Sequence, residues 1–154
     1  MRVGLISDTH GLLRPAALAA LRGCALIVHA GDVGSRDVLA ALADIAPVRA
    51  VRGNNDQGPW ADALPADDVV QLGEQFLYVL HDRAELDLDP AAAGFHVVVT
   101  GHSHRPLHEI RDGVHYVNPG SAGPRRFTLP VTLAELIVSD HGLDVRFIDL
   151  TPAG

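Results

Sequence analysis

The first third of the chain alternates short apolar runs with segments of helical pattern. Three apolar runs predict buried strands, at residues 2–7, 25–30 and 48–51. Between them, residues 15–21 begin with proline, and residues 36–46 follow Ser35, a good capping residue, and carry leucines on one face. Both segments therefore predict helices. Strands and helices that alternate at this spacing indicate parallel strands joined by right-handed crossovers.

The rest of the chain is richer in strand patterns. Seven further strands are predicted, at residues 69–72, 76–80, 96–100, 107–110, 114–117, 132–138 and 143–148. Hairpin turns are expected at 111–113 and 139–142, and a short helix at 89–93. The whole pattern predicts a single α/β domain over residues 1–154, with two packed mixed β-sheets flanked by helices.

Composition narrows the class of protein. Hydrophobic residues make up 47% and charged residues 20% of the 154, as in globular domains that bury a core. The single cysteine, Cys24, excludes an internal disulfide and a thiolate-rich zinc site, and its apolar neighbours indicate a core position. No apolar stretch has the length of a membrane span, and the first apolar run turns polar at Asp8, too early for a secretory signal. A cytoplasmic protein is therefore expected.

The charge of the chain argues against one class of partner. The net charge is −7, and all twelve basic residues are arginines. An acidic surface repels nucleic-acid backbones, and the longest basic run is Arg125-Arg126. Binding of long nucleic acid is therefore not expected.

Metal-capable side chains cluster where the predicted strands end. The clusters are Asp8-Thr9-His10-Gly11, Gly31-Asp32, Gly53-Asn54-Asn55-Asp56, His81-Asp82 and Gly101-His102-Ser103-His104. In open α/β sheets, the loops beyond the carboxyl ends of the strands converge in one crevice. A lone Asp-x-His is common by chance in a chain of this composition, but the ordered set of clusters predicts one metal site.

The order D-x-H, G-D, G-N-x-D/E, lone His and G-H-x-H resembles the pattern of the calcineurin-like metallophosphoesterases, in particular the small YfcE-like phosphodiesterases. The resemblance extends from Asp8 to the segment 118–121 and implies the αββα sandwich of that family. It also implies a metal-dependent phosphoesterase, with phosphodiesters as the expected substrates. Such an enzyme hydrolyses small phosphate esters with a hydroxide that bridges two metal ions.

Carried onto this chain, the resemblance implies ligands for two divalent metal ions. One ion is expected on Asp8, His10, Asp32 and His104. The other is expected on Asp32, Asn54, His81 and His102, with the Asp32 carboxylate bridging both. Mixed oxygen and imidazole ligands suit manganese, which is expected first, and also nickel, iron, cobalt or zinc.

Asn55 departs from the family pattern, because many relatives have a histidine at this position. An amide can bind a phosphate oxygen but cannot act as a general acid near neutral pH. Substrates whose leaving group needs no proton are therefore expected to react best. The catalytic candidates are Asp32, Asn55 and Asp56, and the expected substrate contacts are Asn55 and Arg105.

Several other positions have two interpretations. Asp82 replaces a glycine of the family pattern and is either a turn carboxylate facing solvent or a neighbour of the second metal. His29 is expected to be a core histidine bonded to the backbone rather than a ligand. The segment 118–121 either forms a tight turn or shapes the site. Arg125-Arg126 are either phosphate contacts or solvated surface residues.

A protein-interaction scaffold is the alternative function, because a subunit of the retromer complex looks like this fold and has an altered metal site. A competent residue at every ligand position favours the enzyme instead. A nuclease on long nucleic acid would need an added domain or a basic groove, and the sequence predicts neither. The sequence leaves open a homo-oligomer formed through strand edges in the second half of the chain.

Overall fold

The chain folds into two five-stranded β-sheets that pack face to face. The structure is a computed structural model, and it describes residues 1–152. The strands are β1 (Arg2–Ile6), β2 (Leu26–His29), β3 (Val48–Ala50), β4 (Asp67–Leu72), β5 (Gln75–Leu80), β6 (Val97–Val99), β7 (Leu107–Arg111), β8 (Val114–Asn118), β9 (Thr132–Ser139) and β10 (Gly142–Asp149). The helices of the described chain are α1 (Pro15–Leu21), α2 (Arg36–Ala43), α3 (Pro59–Asp62) and a 3₁₀ turn at Arg83–Glu85.

Both sheets are mixed. The first has the strand order β10-β9-β1-β2-β3 and the second β4-β5-β6-β8-β7. β1, β2 and β3 run parallel, as the alternation of strands and helices predicted, and β9 and β10 add antiparallel strands. In the second sheet, β5, β6 and β8 are parallel, and β4 and β7 pair antiparallel at the two edges. The predicted architecture of two packed mixed sheets is confirmed.

Apolar side chains fill the space between the sheets and the space under the helices. The inner faces of the two sheets meet through buried residues such as Leu5, Val28, Leu77 and Val99. α1 and α2 cover the outer face of the first sheet, and Cys24 is buried there as predicted. Burying this surface is the main force that holds the two layers together. No helix in residues 1–152 has the length and hydropathy needed to cross a membrane.

Three local predictions were wrong. Residues 89–93 form a turn rather than a helix, because Gly94 takes a φ of 87° directly after them and a single turn cannot propagate. α2 ends at Ala43 instead of residue 46, and the Ser35 side chain makes no capping hydrogen bond. The short helix α3 was not predicted at all.

The topology brings the predicted clusters to one edge of the sandwich. The loops after β1, β2 and β3 leave the first sheet at its carboxyl edge, and the loops after β5 and β6 leave the second sheet beside them. The backbone N–H of Gly101 donates to His81 O at 2.9 Å, which joins the β5 and β6 loops. The N–H of Asp8 donates to Gly31 O at 3.0 Å, which joins the β1 and β2 loops.

Candidate metal centre

The structure brings all of the predicted ligands together. Two overlapping groups could each hold an ion: Asp8, His10 and His104 form one, and Asp8, Asp32 and His81 form the other. The ring centroid of His102 lies 5.3 Å from that of His81. Nδ1 of His102 is 3.2 Å from Oδ1 of Asn54, and both residues are exposed at the rim.

The spacing of the ligand atoms suits a metal ion. Nε2 of His104 lies 3.4 Å from Asp8 Oδ1, and Nε2 of His81 lies 3.3 Å from Asp32 Oδ2. Nε2 of His10 is 3.8 Å from both Asp8 Oδ1 and Asp32 Oδ2. A tetrahedral ion with bonds of about 2.1 Å places its ligands about 3.4 Å apart. These distances therefore leave room for cations between the side chains, with Asp8 and Asp32 both in central positions.

Several buried polar atoms of the cluster have no hydrogen-bond partner among residues 1–152. They are Asp8 Oδ1, His10 Nε2, His81 Nε2 and His104 Nδ1. Buried polar atoms are nearly always paired, and those that are not need an explanation. A bound cation would coordinate the Asp8 oxygen and the Nε2 atoms of His10 and His81. The donor set therefore fits divalent metal ions.

Neighbouring backbone and side-chain donors fix the orientation of both central carboxylates. Oδ2 of Asp8 accepts hydrogen bonds from Ser7 Oγ at 2.7 Å and from the N–H of His102 at 3.0 Å, which leaves Oδ1 free. Asp32 accepts from the N–H of Asn55 at 2.9 Å and from its Nδ2 at 3.1 Å. Nδ1 of His81 lies 2.8 Å from Ala30 O, so it carries the proton and Nε2 is left as the ligand atom.

Electrostatics keeps both central carboxyls ionised. Burial alone would raise the pKa of Asp8, but the close contact with His104, the hydrogen bond from Ser7 and the nearby His81 outweigh it and lower the pKa. The pKa of Asp32 also falls well below its usual range, because the close His81 ring and the hydrogen bond from the Asn55 N–H outweigh the effect of burial. The pKa of His81 is raised, because its contacts with these carboxylates outweigh the effect of burial. The site therefore has a concentrated negative charge that attracts cations.

The backbone at the site is unusual. Five of the seven non-glycine residues with positive φ in the described chain are predicted ligands: Asp8, His10, Asp32, His102 and His104. A left-handed conformation costs a non-glycine residue about 1 kcal/mol or more. Strain of this kind tends to concentrate at functional sites, where the surrounding structure holds it.

Asp56 is an anchor of the loops and not a free catalytic group. Its carboxylate accepts the backbone N–H groups of Gly53, Val33 and Gly34 at 2.9, 3.2 and 3.0 Å, and it is buried. Both oxygens are thus occupied by the backbone, so the geometry does not support the catalytic role predicted for Asp56. Asn55 is tied to Asp32, which makes it a positioning residue as well as a candidate substrate contact.

His29 is a functional neighbour whose role the sequence only partly indicated. It is fully buried, and its Nδ1 accepts the N–H of Gly31 at 3.1 Å. Its Nε2 lies 3.0 Å from Oγ1 of Thr9, which in turn donates to Val33 O at 2.8 Å. Thr9 stands between two predicted ligands and Gly31 precedes a third. His29 therefore links the β1 and β2 loops, in agreement with the prediction of a core histidine bonded to the backbone.

The segment 118–121 hydrogen-bonds to the backbone of two loops that carry predicted ligands. Asn118 Nδ2 donates to Gly101 O at 2.9 Å, and Ser121 Oγ donates to Asp8 O at 3.0 Å. Gly101 has no space for a side chain, because a Cβ there would clash with Ser7 Oγ and would lie 2.7 Å from Asp8 Oδ2. Of the two interpretations of this segment, the structure favours the one in which it shapes the site.

The rim of the site is open. A shallow pocket of about 190 Å³ beside the ligands is lined by Arg52, Asn54 and Glu85, among others. Asp82 accepts the N–H of Ala84 at 3.0 Å, and its Oδ2 lies 3.9 Å from His102 Nε2. Asp82 is therefore both a turn residue and a neighbour of the site. Arg105 is exposed directly after His104.

Comparison with known proteins places this chain in a family. The model of the calcineurin-like phosphoesterase superfamily domain matches residues 1–141. A probable metallophosphoesterase of Methanothermobacter thermautotrophicus is 32% identical, over 96% of this chain and 92% of its own. A phosphodiesterase of Methanocaldococcus jannaschii is 26% identical, over 78% of this chain and 83% of its own.

Solved structures agree with the sequence relatives. The Escherichia coli phosphoesterase YfcE is 27% identical, with a TM-score of 0.70 over 93% of this chain and 91% of its own. Vps29 of Entamoeba histolytica in complex with zinc shares the fold, with 20% identity and a TM-score of 0.74 over 97% of this chain and 99% of its own. The chain therefore belongs to the calcineurin-like phosphoesterase superfamily.

Proposed function

We propose that this protein is a two-metal phosphoric diester hydrolase that acts on small phosphate esters. The observation that carries the proposal is the cluster of buried ligand atoms left without partners, with Asp8 and Asp32 at its centre. The first ion would be held by Asp8, His10, Asp32 and His104, and the second by Asp32, Asn54, His81 and His102. Manganese is the metal we expect, because the ligands are a mixture of oxygens and imidazoles.

Two divalent ions held by these residues would supply a water of lowered pKa and would neutralise the charge of the phosphate. The residues of the chain hold and orient the reacting groups. Asn55 keeps the Asp32 carboxylate in position and can donate its second amide hydrogen to a phosphate oxygen. Arg52 lines the pocket beside the site, where a guanidinium suits the anionic ester.

The side chains beside the predicted ligands determine which leaving groups the site can accommodate. Neither Asn55 nor the anchored Asp56 can deliver a proton to a departing alkoxide, since one is an amide and the other accepts three backbone hydrogen bonds. Esters with leaving groups of low pKa are therefore the favoured substrates. Because the site is open, it should recognise the phosphate more than the remainder of the substrate.

The test is hydrolysis of bis(p-nitrophenyl) phosphate by metal-free protein that is then supplied with Mn²⁺, Ni²⁺, Zn²⁺ or Mg²⁺. His104→Ala should lower turnover by about 100-fold or more, since it removes a ligand. His141→Ala is the matched control, because His141 is exposed in the β9–β10 hairpin, and it should leave turnover unchanged. Turnover that does not depend on added metal, or that survives in His104→Ala, would contradict the proposal.

A catalytically weak metal-binding scaffold is the second candidate, because Vps29 chains share this fold. The same experiment separates the two functions. Stoichiometric metal binding with no hydrolysis of aryl diesters under any metal would favour the scaffold.

A further inference from the structure

β10 forms an open edge of the first sheet. It pairs with β9 in an unbroken register of eight residues, from Gly142 opposite Ser139 to Asp149 opposite Thr132. Within residues 1–152, no other strand pairs with it. A long edge without a bulge is a template for pairing with another strand, and proteins usually interrupt or cover such edges.

The hydrogen-bond pattern shows which residues face outward. The N–H of Leu150 donates to Val131 O at 2.7 Å, so the even-numbered residues of β10 direct their backbone groups toward β9. The N–H of Val138 donates to Met1 O, so the even-numbered residues of β9 direct their backbone groups toward β1 and the odd-numbered ones toward β10. In the β9–β10 register, those odd-numbered residues of β9 stand opposite the even-numbered residues of β10, in agreement with the first bond. Leu143, Val145 and Phe147 therefore present their N–H and C=O groups to the open edge.

The sequence of β10 is complementary to itself about Val145. In an antiparallel pair centred there, Asp144 stands opposite Arg146 of the second copy, and Leu143 stands opposite its Phe147. Val145 meets its own copy as a hydrogen-bonded pair, which the outward direction of its backbone groups allows. Asp144 and Arg146 fall in the non-bonded pairs, where opposing Cα atoms are about 4.5 Å apart and side chains are closest.

In such a pair, the charged side chains of the two β10 strands alternate in sign around the two-fold axis. Nε of Arg146 already lies 3.3 Å from Asp144 Oδ2 in the same strand. The second copy would add one acid and one base in the reverse order, so that four alternating charges surround the two-fold axis. Opposite charges across strands stabilise a sheet, and like charges destabilise it.

The apolar side chains of β10 are also only partly buried. Leu143 and Val145 pack at the margin of the core between the sheets, and Phe147 is 40% exposed. Pairing about Val145 would set Phe147 of each copy beside Leu143 of the other on this same face. The contact would continue the inner apolar surface across the axis.

We infer that two copies of this chain associate through β10, antiparallel and centred on Val145, to give one continuous ten-stranded sheet. Such an isologous contact closes on itself and needs only one patch on each subunit. The edge strand of the second sheet, β7, is less suited. Antiparallel pairing about its central residue would place Glu109 directly opposite its own copy.

The test is the solution mass over a concentration series, by light scattering and sedimentation, with charge reversals. The wild type is expected at twice the chain mass of 16.3 kDa. Asp144→Arg and Arg146→Asp should each raise the dimer dissociation constant by about 30-fold or more, because each change creates like-charge contacts on both sides of the axis. The double variant restores opposite pairs and should recover the wild-type constant within about threefold.

Two controls make the outcome decisive. Asp44→Arg alters the net charge as Asp144→Arg does, at the exposed end of α2, which packs beside β3 at the opposite edge of the sheet, and should not change the dissociation constant. Val145→Pro removes an outward N–H without removing a β9 hydrogen bond, and should yield monomers. A wild type that stays monomeric throughout, or a dimer that is indifferent to both single reversals, would overturn the inference.

Discussion

The protonation of His29 provides a direct test of how the site loops are held. Its Nδ1 accepts the N–H of Gly31, and its Nε2 lies against Thr9 Oγ1, whose own hydrogen is used by Val33 O. The neutral ring therefore carries its proton on Nε2. A second proton on Nδ1 would face the Gly31 N–H directly and would place a charge in the core.

The magnitude follows from the pKa. Burial lowers the pKa of His29 from 6.5 to about 4, and the nearby carboxylates of Asp8 and Asp56 oppose this only in part. The unfolded chain thus binds this proton at a higher pH than the folded chain. The free energy of unfolding must fall as the pH drops from about 6.5 to about 4, at 1.36 kcal/mol per pKa unit, or about 3 kcal/mol in all. Below about pH 4, the contribution of His29 to the free energy of unfolding is fully lost.

The titrations of Asp8, Asp32 and His81 contribute little to the pH dependence of stability between about pH 6.5 and 4. The pKa values of Asp8 and Asp32 are depressed, so their contribution to stability is lost only as the pH falls below the range of an ordinary carboxyl. The pKa of His81 is raised, so its contribution is fully present below the unfolded value and does not vary there. Burial and the neighbouring His108 lower the pKa of His115 as well, which adds a slope of the same sign. Since a His29 variant keeps that slope, the difference in slope between the wild type and the variant should report on His29.

The assay is urea unfolding of metal-free protein at a series of pH values, for the wild type and His29→Asn. Asparagine can accept the Gly31 N–H but does not titrate. We expect the variant to be less stable at neutral pH and to have a flatter pH dependence. An acid-induced loss of stability as steep in His29→Asn as in the wild type would refute the reasoning.

Three further predictions concern the metal centre. Mn²⁺ at about 100 times its dissociation constant should stabilise the fold by about 2.7 kcal/mol and raise the Tm by about 5 to 11 °C in calorimetry, whereas His104→Ala should show no such rise. Asn55→His introduces a proton donor, so the rate should increase most for aryl diesters with poor leaving groups; an equal increase across the series would contradict this. Gly101→Ala forces a methyl group against Ser7 and Asp8 and should cost about 1–3 kcal/mol in urea unfolding and abolish the Mn²⁺-induced rise in Tm. Gly113→Ala, in an open turn, should keep that rise, and a rise retained in both variants would refute the steric argument.

The sequence predicted the elements that local patterns specify. Alternating strands and helices predicted the parallel β1, β2 and β3, and the metal-capable clusters at strand ends predicted the place where the candidate ligands meet. The pairing of β1 with β9 could not be predicted, because it joins segments at opposite ends of the chain. The end of α2 was also missed, because Ile45 and Ala46 both donate their N–H groups to Leu42 O in a turn that does not continue the helix.

Details of the site were beyond sequence reasoning for a different reason. The anchoring of Asp56 and the contact of Asn55 with Asp32 depend on loop conformations that only the folded chain defines. Positive φ values at Asp8 and His10 are not fixed by those residue types, because aspartate and histidine enter that region more often than most residues but still only at a minority of positions. A histidine such as His29 shows its role only when its two ring nitrogens are seen to join separate loops.

The strained ligand loops are held by an extension of the sheet. Beyond the end of β1, the N–H groups of Asp8, His10 and Gly11 donate to Gly31, Asp32 and Val33 carbonyl oxygens at 3.0, 2.9 and 2.8 Å. The ladder between β1 and β2 therefore continues through the loops that carry the ligands. Each loop can adopt left-handed residues because the other loop fixes it, and neither conformation would be stable alone. Loss of one connection should consequently reduce metal affinity and folding stability together, which couples the chemistry of the site to the fold.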